Sequence, residues 1–351
     1  MDRLPDPTIR TCELVNHNVT VQIVMYVLQL VYALPISLLY LFVILRILKK
    51  HRKEQAFADY YFRIYVLDGV VSVIVLILDF GLTRPLIYVN PLCYVFSSLF
   101  PEPTYWLTPY LFFFNYFQFA KIFSITLLSA NRFTCVAYPI WHKTFWKKHT
   151  NRVIIVAILT PILFTWHLGI SKTTFDYYDG EGILGYIKVV SFVRTTFFKL
   201  VVSSLAFLFI LITNIKTFQL AKQFKNKMKS FEHSLTLSTI VISACFIIYI
   251  IVQAILLVFS TAFLLENLAF GSALKKFEFI CNDFYLMSSP IALLILNKRL
   301  RKSIFQSKVT PEAPRNSSNK NSMNNFETVN NTVHIIVKSP SGKTVSSFGG
   351  F

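Results

Sequence analysis

Seven apolar runs, each long enough to cross the hydrocarbon core of a bilayer, take up most of this chain and leave it few alternatives. They cover roughly residues 21–48, 58–82, 109–137, 152–171, 186–215, 235–265 and 277–296, and about 20 apolar residues suffice for one helical crossing. Backbone N–H and C=O groups in lipid must be bonded within the chain, so runs of this length are read as helices. Strand-like alternation is absent from them. The composition agrees: 54% hydrophobic residues and a mean hydropathy of +0.54 leave too little charge for a soluble surface. The expectation is an all-α membrane protein, a seven-transmembrane helix bundle. It divides into a leader (1–20), the bundle with a short interfacial helix at its end (21–305) and a tail (306–351). The shorter apolar stretch 91–100, followed by Pro101 and Pro103, reads as part of a loop or a re-entrant piece.

The orientation follows from the basic residues. A net charge of +18 could point to nucleic acid, but here it sits in short loops between apolar runs, so no nucleic-acid partner is expected. Arg46, Lys49, Lys50, Arg52 and Lys53 lie at the end of the first run and just beyond it; Lys143, Lys147, Lys148 and Arg152 follow the third. The fifth is followed by Lys216, Lys222, Lys225, Lys227 and Lys229, and the seventh by Lys298, Arg299, Arg301 and Lys302. All four sets fall on one side. By the positive-inside rule the N-terminus is outside and the C-terminus inside. The same lysines fit anchoring to anionic membrane lipids, a role compatible with binding a protein partner. The polar leader lacks the basic start of a cleaved signal peptide, so the first run reads as an uncleaved anchor.

Of the five cysteines, Cys12 and Cys93 both fall on the oxidising side, and a Cys12–Cys93 disulfide is expected. Cys281 is the competing partner, and two free thiols are the other outcome. Asn18 opens a glycosylation sequon on that side, although its nearness to the membrane works against its use. From Gln306 onward the chain is rich in Ser, Asn, Thr and Pro without apolar periodicity, which predicts a disordered cytoplasmic tail. Its hydroxyls are candidate phosphorylation sites. The segment NKRLRKSIF (297–305) fits a short interfacial helix, and an ordinary basic flank would look much the same.

Charges inside the spans carry the functional signal, because each costs about 2.5–3.5 kcal/mol at a helix centre unless paired or wet. Asp68 in the second run and Lys121 in the third both lie roughly 15 Å deep at about 1.5 Å per residue. They are expected to form an intramembrane ion pair, which would fill a level where a sodium ion could otherwise sit. The alternative is a Lys121 that snorkels to an interface. Toward the outside, Asn115, Gln118, Lys199, Asp283 and Tyr285, with Asp79, are candidate ligand-binding residues set among aromatics such as Tyr110, Phe114 and Tyr116. The blander reading makes some of them solvated edge residues and the rings packing residues.

The third run ends TLLSANRFTCVAYP (126–139), an arginine and then a proline. A guanidinium there can reach interfacial water or dock among neighbouring spans, so Arg132 is a switch candidate. An interfacial arginine that only marks the cytoplasmic side is the alternative. Seven spans with this motif resemble a G-protein-coupled receptor. The chain is more closely similar to the nematode serpentine chemoreceptors of class gamma, in LLSANRFTCVAYP, in the Lys-rich third inner loop and in SSPIALLILNKRLRKSIF (288–305). That resemblance implies ligand-driven coupling to a heterotrimeric G protein at the plasma membrane, with Asn131, Arg132, Phe133, Lys225 and Lys227 at the coupling face and a small-molecule ligand outside.

The chain departs from the commoner receptor pattern at several points. Asn131 stands where many such receptors keep an acid, leaving Glu232 or another group to hold Arg132. The last run has Ser289-Pro290 without a preceding Asn, and the usual third-span cysteine is absent. No enzyme is expected, since the histidines are scattered and only His167 lies within a run. No cofactor and no metal follow from the residues. A ligand-gated channel or small-solute transporter is the competing class, but it predicts internal repeats or Gly-rich broken helices that are not found.

Overall fold

The computed structural model describes residues 18–51, 60–178, 181–190, 195–223, 230–262, 268–297, 301 and 305. They fall within one compact unit, Met1–Ser307; a second unit, Lys308–Phe351, lies outside the described residues, as do the leader through residue 17 and the tail. The helices are α1 (Val19–His51), α2 (Tyr60–Leu78), α3 (Arg84–Tyr88), α4 (Asn90–Leu99), α5 (Thr108–Ala137), α6 (Pro139–Leu159), α7 (Ile162–Gly169), α8 (Thr195–Gln223), α9 (Ser230–Ala262) and α10 (Leu268–Leu296). Two strands, β1 (Thr173–Tyr178) and β2 (Glu181–Tyr186), lie between α7 and α8. Seven helical segments are long and apolar enough to cross a membrane. These are spans one to seven in chain order.

Their limits differ from the periodic reading where polar residues mislead it. Span four starts at Pro139, not near residue 152, because Lys143, Lys147 and Lys148 lie on an exposed face while His142, Trp146 and Thr150 repeat every four residues on a buried one. Pro139 opens that helix at a position where its missing N–H costs nothing. Span five starts at Thr195 rather than near 186, because Thr173–Tyr178 and Glu181–Tyr186 pair as an antiparallel hairpin in register from Thr173↔Tyr186 to Tyr178↔Glu181. Residues 91–100 lie largely in helix α4, Asn90–Leu99, too short to cross a membrane.

Span two runs further than its apolar residues suggest, to Tyr88. Between α2 and α3 the backbone widens into a π turn, Asp79–Thr83, in which the Arg84 N–H bonds to the Asp79 carbonyl. Pro85 accounts for the widening. Its ring would clash with the carbonyl four residues back, at Gly81, and it has no N–H to donate, so the extra residue relieves both faults.

Span three is central and packs on spans two, four, five and six, while span one packs on spans two and seven. One core cluster joins Phe119, Ile122 and Ile125 of span three to Ile210, Phe246 and Tyr285 of spans five, six and seven. A second gathers Tyr40, Ile44, Tyr61, Tyr65, Leu128 and Leu293 toward the Arg132 end. Spans one and two come closest at Gly69, where an added Cβ would sit 2.7 Å from Ile44 Cδ1 and 3.0 Å from Tyr40 Cε2. Serines stitch span six to span seven: Ser234 Oγ donates to the Leu296 carbonyl at 2.6 Å and Ser238 Oγ to that of Ala292 at 3.3 Å.

Candidate functional site

At the end of span three, Arg132 is buried at 2% exposure, and its guanidinium carbon lies 3.7 Å from the centroid of the Tyr61 ring on span two. Nε and one terminal nitrogen have no hydrogen-bond partner, and neither does either amide atom of the adjacent buried Asn131. No carboxylate reaches Arg132 among the described residues. The π face of Tyr61 therefore faces the cation where an acid might have stood. Tyr61 OH lies 3.4 Å from Thr239 Oγ1 of span six, so three spans meet at this point. The Glu232 side chain lies outside the described residues, as do Lys225 and Lys227; Phe133 is half-buried and edge-on to Tyr138, 6.3 Å away. The chain beyond Arg132 is fixed by Thr134, whose Oγ1 accepts from Trp146 Nε1 at 3.0 Å and lies 3.0 Å from His142 Nδ1.

Midway along the bundle, Lys121 Nζ is 2.7 Å from Asp68 Oδ1, and both residues are fully buried. Ser124 Oγ also donates to Oδ1 at 2.7 Å, while Oδ2 accepts from Tyr40 OH at 3.1 Å and Ser289 Oγ at 2.8 Å. A carboxylate offers about four lone-pair sites. Spans one, three and seven thus supply a donor for every one of them, which is what a buried ion pair needs to offset its desolvation.

The opposite end holds a second buried charge cluster, centred on Arg84. Its Nε donates to Asp79 Oδ2 at 2.9 Å and one terminal nitrogen to Gln29 Oε1 and Asp283 Oδ2, each at 2.9 Å. The other terminal nitrogen reaches Asp283 Oδ1, making that pair bidentate, and Tyr32 OH also donates to Asp283. Phe80 covers the guanidinium face, 4.0 Å from ring centroid to guanidinium carbon. The cluster ties spans one, two and seven. The apolar run stops at residue 82, two residues short of Arg84. The overlooked signal was the five-residue spacing of Asp79 and Arg84 ahead of Pro85, which suits a π turn.

Beside this cluster is a cavity of about 930 Å³. Asn115 and Gln118 of span three, Lys199 of span five and Asp79 of span two line it, together with Gln253 of span six and Glu278 of span seven. The stacked rings of Tyr110 and Phe114, 6.0 Å apart, form part of one wall, and β2 of the hairpin contributes Gly182 and Leu184. Asp283 and Tyr285 are not among the lining residues. Asp283 is held by Arg84 and borders a separate apolar groove of about 850 Å³ with Gln29, Tyr32 and Met287. Tyr285 lies beneath the cavity, stacked on Tyr249 at 5.0 Å, with Lys121 Nζ 5.5 Å from its ring centroid. Tyr116 donates to the Ile158 carbonyl at 2.6 Å and points away from the space.

Near the same end, Cys93 is disulfide-bonded, whereas Cys135, Cys245 and Cys281 are not in disulfides. Cys12, its expected partner, lies outside the described residues. Asn18 is exposed, and its Oδ1 accepts from the Thr20 N–H at 2.9 Å at the start of α1. No group of three or more His, Cys, Asp or Glu suited to a metal occurs among the described residues. Most of 297–305 lies outside them, although Arg301 N–H bonds to the Asn297 carbonyl and Phe305 lies 5.8 Å from Phe42.

Seven spans, a buried arginine closing the third and a polar cavity at the far end are the build of a multi-pass serpentine membrane receptor. The family model described as Srg family chemoreceptor matches residues 26–304, and the chain belongs to that family. Among its relatives in Caenorhabditis elegans, Serpentine receptor class gamma-4 is 30% identical over 313 residues, covering 89% of this chain and 96% of the relative. Serpentine receptor class gamma-9 is 27% identical over 303 residues, covering 86% and 88%. Serpentine receptor class gamma-30 is 28% identical over 299 residues, covering 85% and 97%.

Proposed function

We propose that this chain is a G-protein-coupled chemoreceptor of the plasma membrane, with its N-terminus outside and its basic loops in the cytosol. The supporting observation is the division of the bundle: a roomy cavity with polar lining at the Arg84 end and a buried, incompletely bonded Arg132 at the other. A small molecule entering the cavity touches spans two, three, five, six and seven at once, so it can favour one arrangement of them over another. Span six is the element that transmits the change. Tyr249 lines the cavity on that helix, and Thr239, about ten residues along it, lies against the Tyr61 that covers Arg132. Movement of span six away from span two would uncover Arg132 and Asn131 for the G protein, and the lysines of the third inner loop, Lys225 and Lys227 among them, would steer its acidic surface.

The fully bonded Asp68 carboxylate leaves a sodium ion no place at this level. The disulfide at Cys93, paired with Cys12, would tether the leader to α4. Glycosylation at Asn18 completes the proposed topology. The test is a ligand screen in cells that report several Gα pathways, using an N-terminal epitope tag to measure surface delivery. Agonist responses should fall in Asn115→Trp, which puts a bulky ring into the cavity, and vanish in Arg132→Ala, while the tag stays accessible on intact cells. A tag detected only after permeabilisation, or an agonist response untouched by Asn115→Trp, would overturn the reading.

A further inference from the structure

We propose that the ligand of the cavity at the Arg84 end is a zwitterion, with a free α-amino acid bearing a large apolar or aromatic side chain as its simplest form. This rests on the reading of that cavity as the ligand site. The lining carries charges of both signs, Lys188 and Lys199 against Asp79 and Glu278. Lys199 and Glu278 both border the space, yet no ion pair joins them, and Lys199 forms none with any described carboxylate. The Lys199 ammonium lies 5.8 Å from the Tyr249 ring centroid, and Glu278 accepts a hydrogen bond from Gln253.

Asp79 supplies the second anionic wall. It is fully buried and borders the cavity; Arg84 holds its Oδ2, whereas Oδ1 has no hydrogen-bond partner. That oxygen is shut off from the open space, so Asp79 acts on a ligand through its charge and not by a direct hydrogen bond. The Arg84 cluster does not cancel that charge, because one guanidinium set against the carboxylates of Asp79 and Asp283 leaves a residual negative charge. The cavity therefore has a cation on span five that bonds to the Tyr249 hydroxyl and to no carboxylate, and a carboxylate on span seven, with Asn115 and Gln118 of span three also lining it. A simple carboxylate would satisfy Lys199 and leave the acids unmet; a simple amine would do the reverse. A molecule with both groups answers both demands, and the Tyr110–Phe114 stack gives its side chain an aromatic wall.

The experiment uses the purified full-length receptor in lipid nanodiscs, with thermal shift and direct binding as readouts. Its probes are phenylalanine, tryptophan and leucine, each also as the N-acetyl form, which lacks the ammonium, and the methyl ester, which lacks the carboxylate. At least one free amino acid should bind at millimolar concentration or below, and each blocked form should bind about tenfold more weakly or worse. Lys199→Met should erase the preference for free acid over ester, and Glu278→Gln should reduce the preference for free amine over amide. Lys199→Arg keeps the charge, so it should retain the wild-type order and show that the lysine site tolerates substitution. Blocked forms that bind as well as their parents, or no binding by any free amino acid, would overturn the zwitterion assignment. Binding of a blocked form that Asn115→Trp abolishes would sink the class and keep the cavity. Amino-acid binding unchanged by Asn115→Trp would remove the cavity as well.

Discussion

The guanidinium of Arg132 rests against Tyr61, 3.7 Å from guanidinium carbon to ring centroid, with no carboxylate in reach among the described residues. A desolvated contact of this kind is worth about 2 kcal/mol. If it restrains the resting receptor, Tyr61→Leu should raise ligand-independent G-protein turnover, by up to about thirtyfold if the whole contact is lost. Tyr61→Phe keeps the ring and should keep the basal level. Nucleotide exchange normalised to surface receptor separates the two; equal basal activity in both variants would count against a restraining role.

Arg132→Ala should abolish ligand-driven nucleotide exchange while leaving surface delivery close to wild type. The prediction follows from its place at the meeting of spans two, three and six, where its lost contact is made to a ring and not to a buried carboxylate that would be stranded. Flow cytometry on intact cells and an exchange assay on their membranes read the two quantities side by side.

Breaking the Asp68–Lys121 pair should be far more damaging than removing it. Asp68→Asn or Lys121→Met alone leaves one buried charge unpaired, with an expected loss of about 3–5 kcal/mol. The double variant should recover part of it, seen as a melting temperature above that of either single variant. Replacing sodium by choline should leave the melting temperature of the wild-type receptor unchanged. A clear rise with sodium would mean the carboxylate is open to the ion.

Arg84→Gln should cost more than any substitution at the exposed Lys172, because it strands Asp79 and Asp283 in a buried site. Arg84→Lys should fail to rescue it, since an ammonium cannot bridge both oxygens of Asp283 and still reach Asp79 and Gln29. Partial return of surface expression in Arg84→Gln with Asp283→Asn would support the assignment of the cost to the stranded charge.

Gly69→Leu should lower stability by about 1–3 kcal/mol, because its side chain must displace Ile44 and Tyr40. Gly69→Ala should cost less, as the Ile44 Cδ1 it meets is the end of a movable chain. Thermal melting of the two variants gives the order.

The spans were legible because bilayer thickness fixes how long an apolar run must be, and no soluble fold competes for such runs. Lys121 and Asp68 could be matched from depth alone, since each was the one charge in mid-span of a neighbouring pair of helices. Tyr61 could not be foreseen, because an aromatic on a lipid-facing helix reads the same as one turned toward an arginine. Asp283 and Asn115 looked alike on paper, yet only the second borders the cavity. The difference is set by Arg84, which enters the bundle only because the backbone widens below it. The hairpin was not legible because its strands are short and follow an apolar helix closely, and the apolar run read as span five takes in the end of β2 at Tyr186.

That widening at Asp79–Thr83 has one more result. A single surplus residue advances the azimuth of everything beyond it by about 100°, so Arg84, Leu86 and Tyr88 meet the protein interior along a direction the preceding nineteen residues of α2 do not set. Proline 85 thus acts as a phase shifter on a long rod: the same sequence wound without a fault there would turn its guanidinium toward hydrocarbon and give the chamber a different wall.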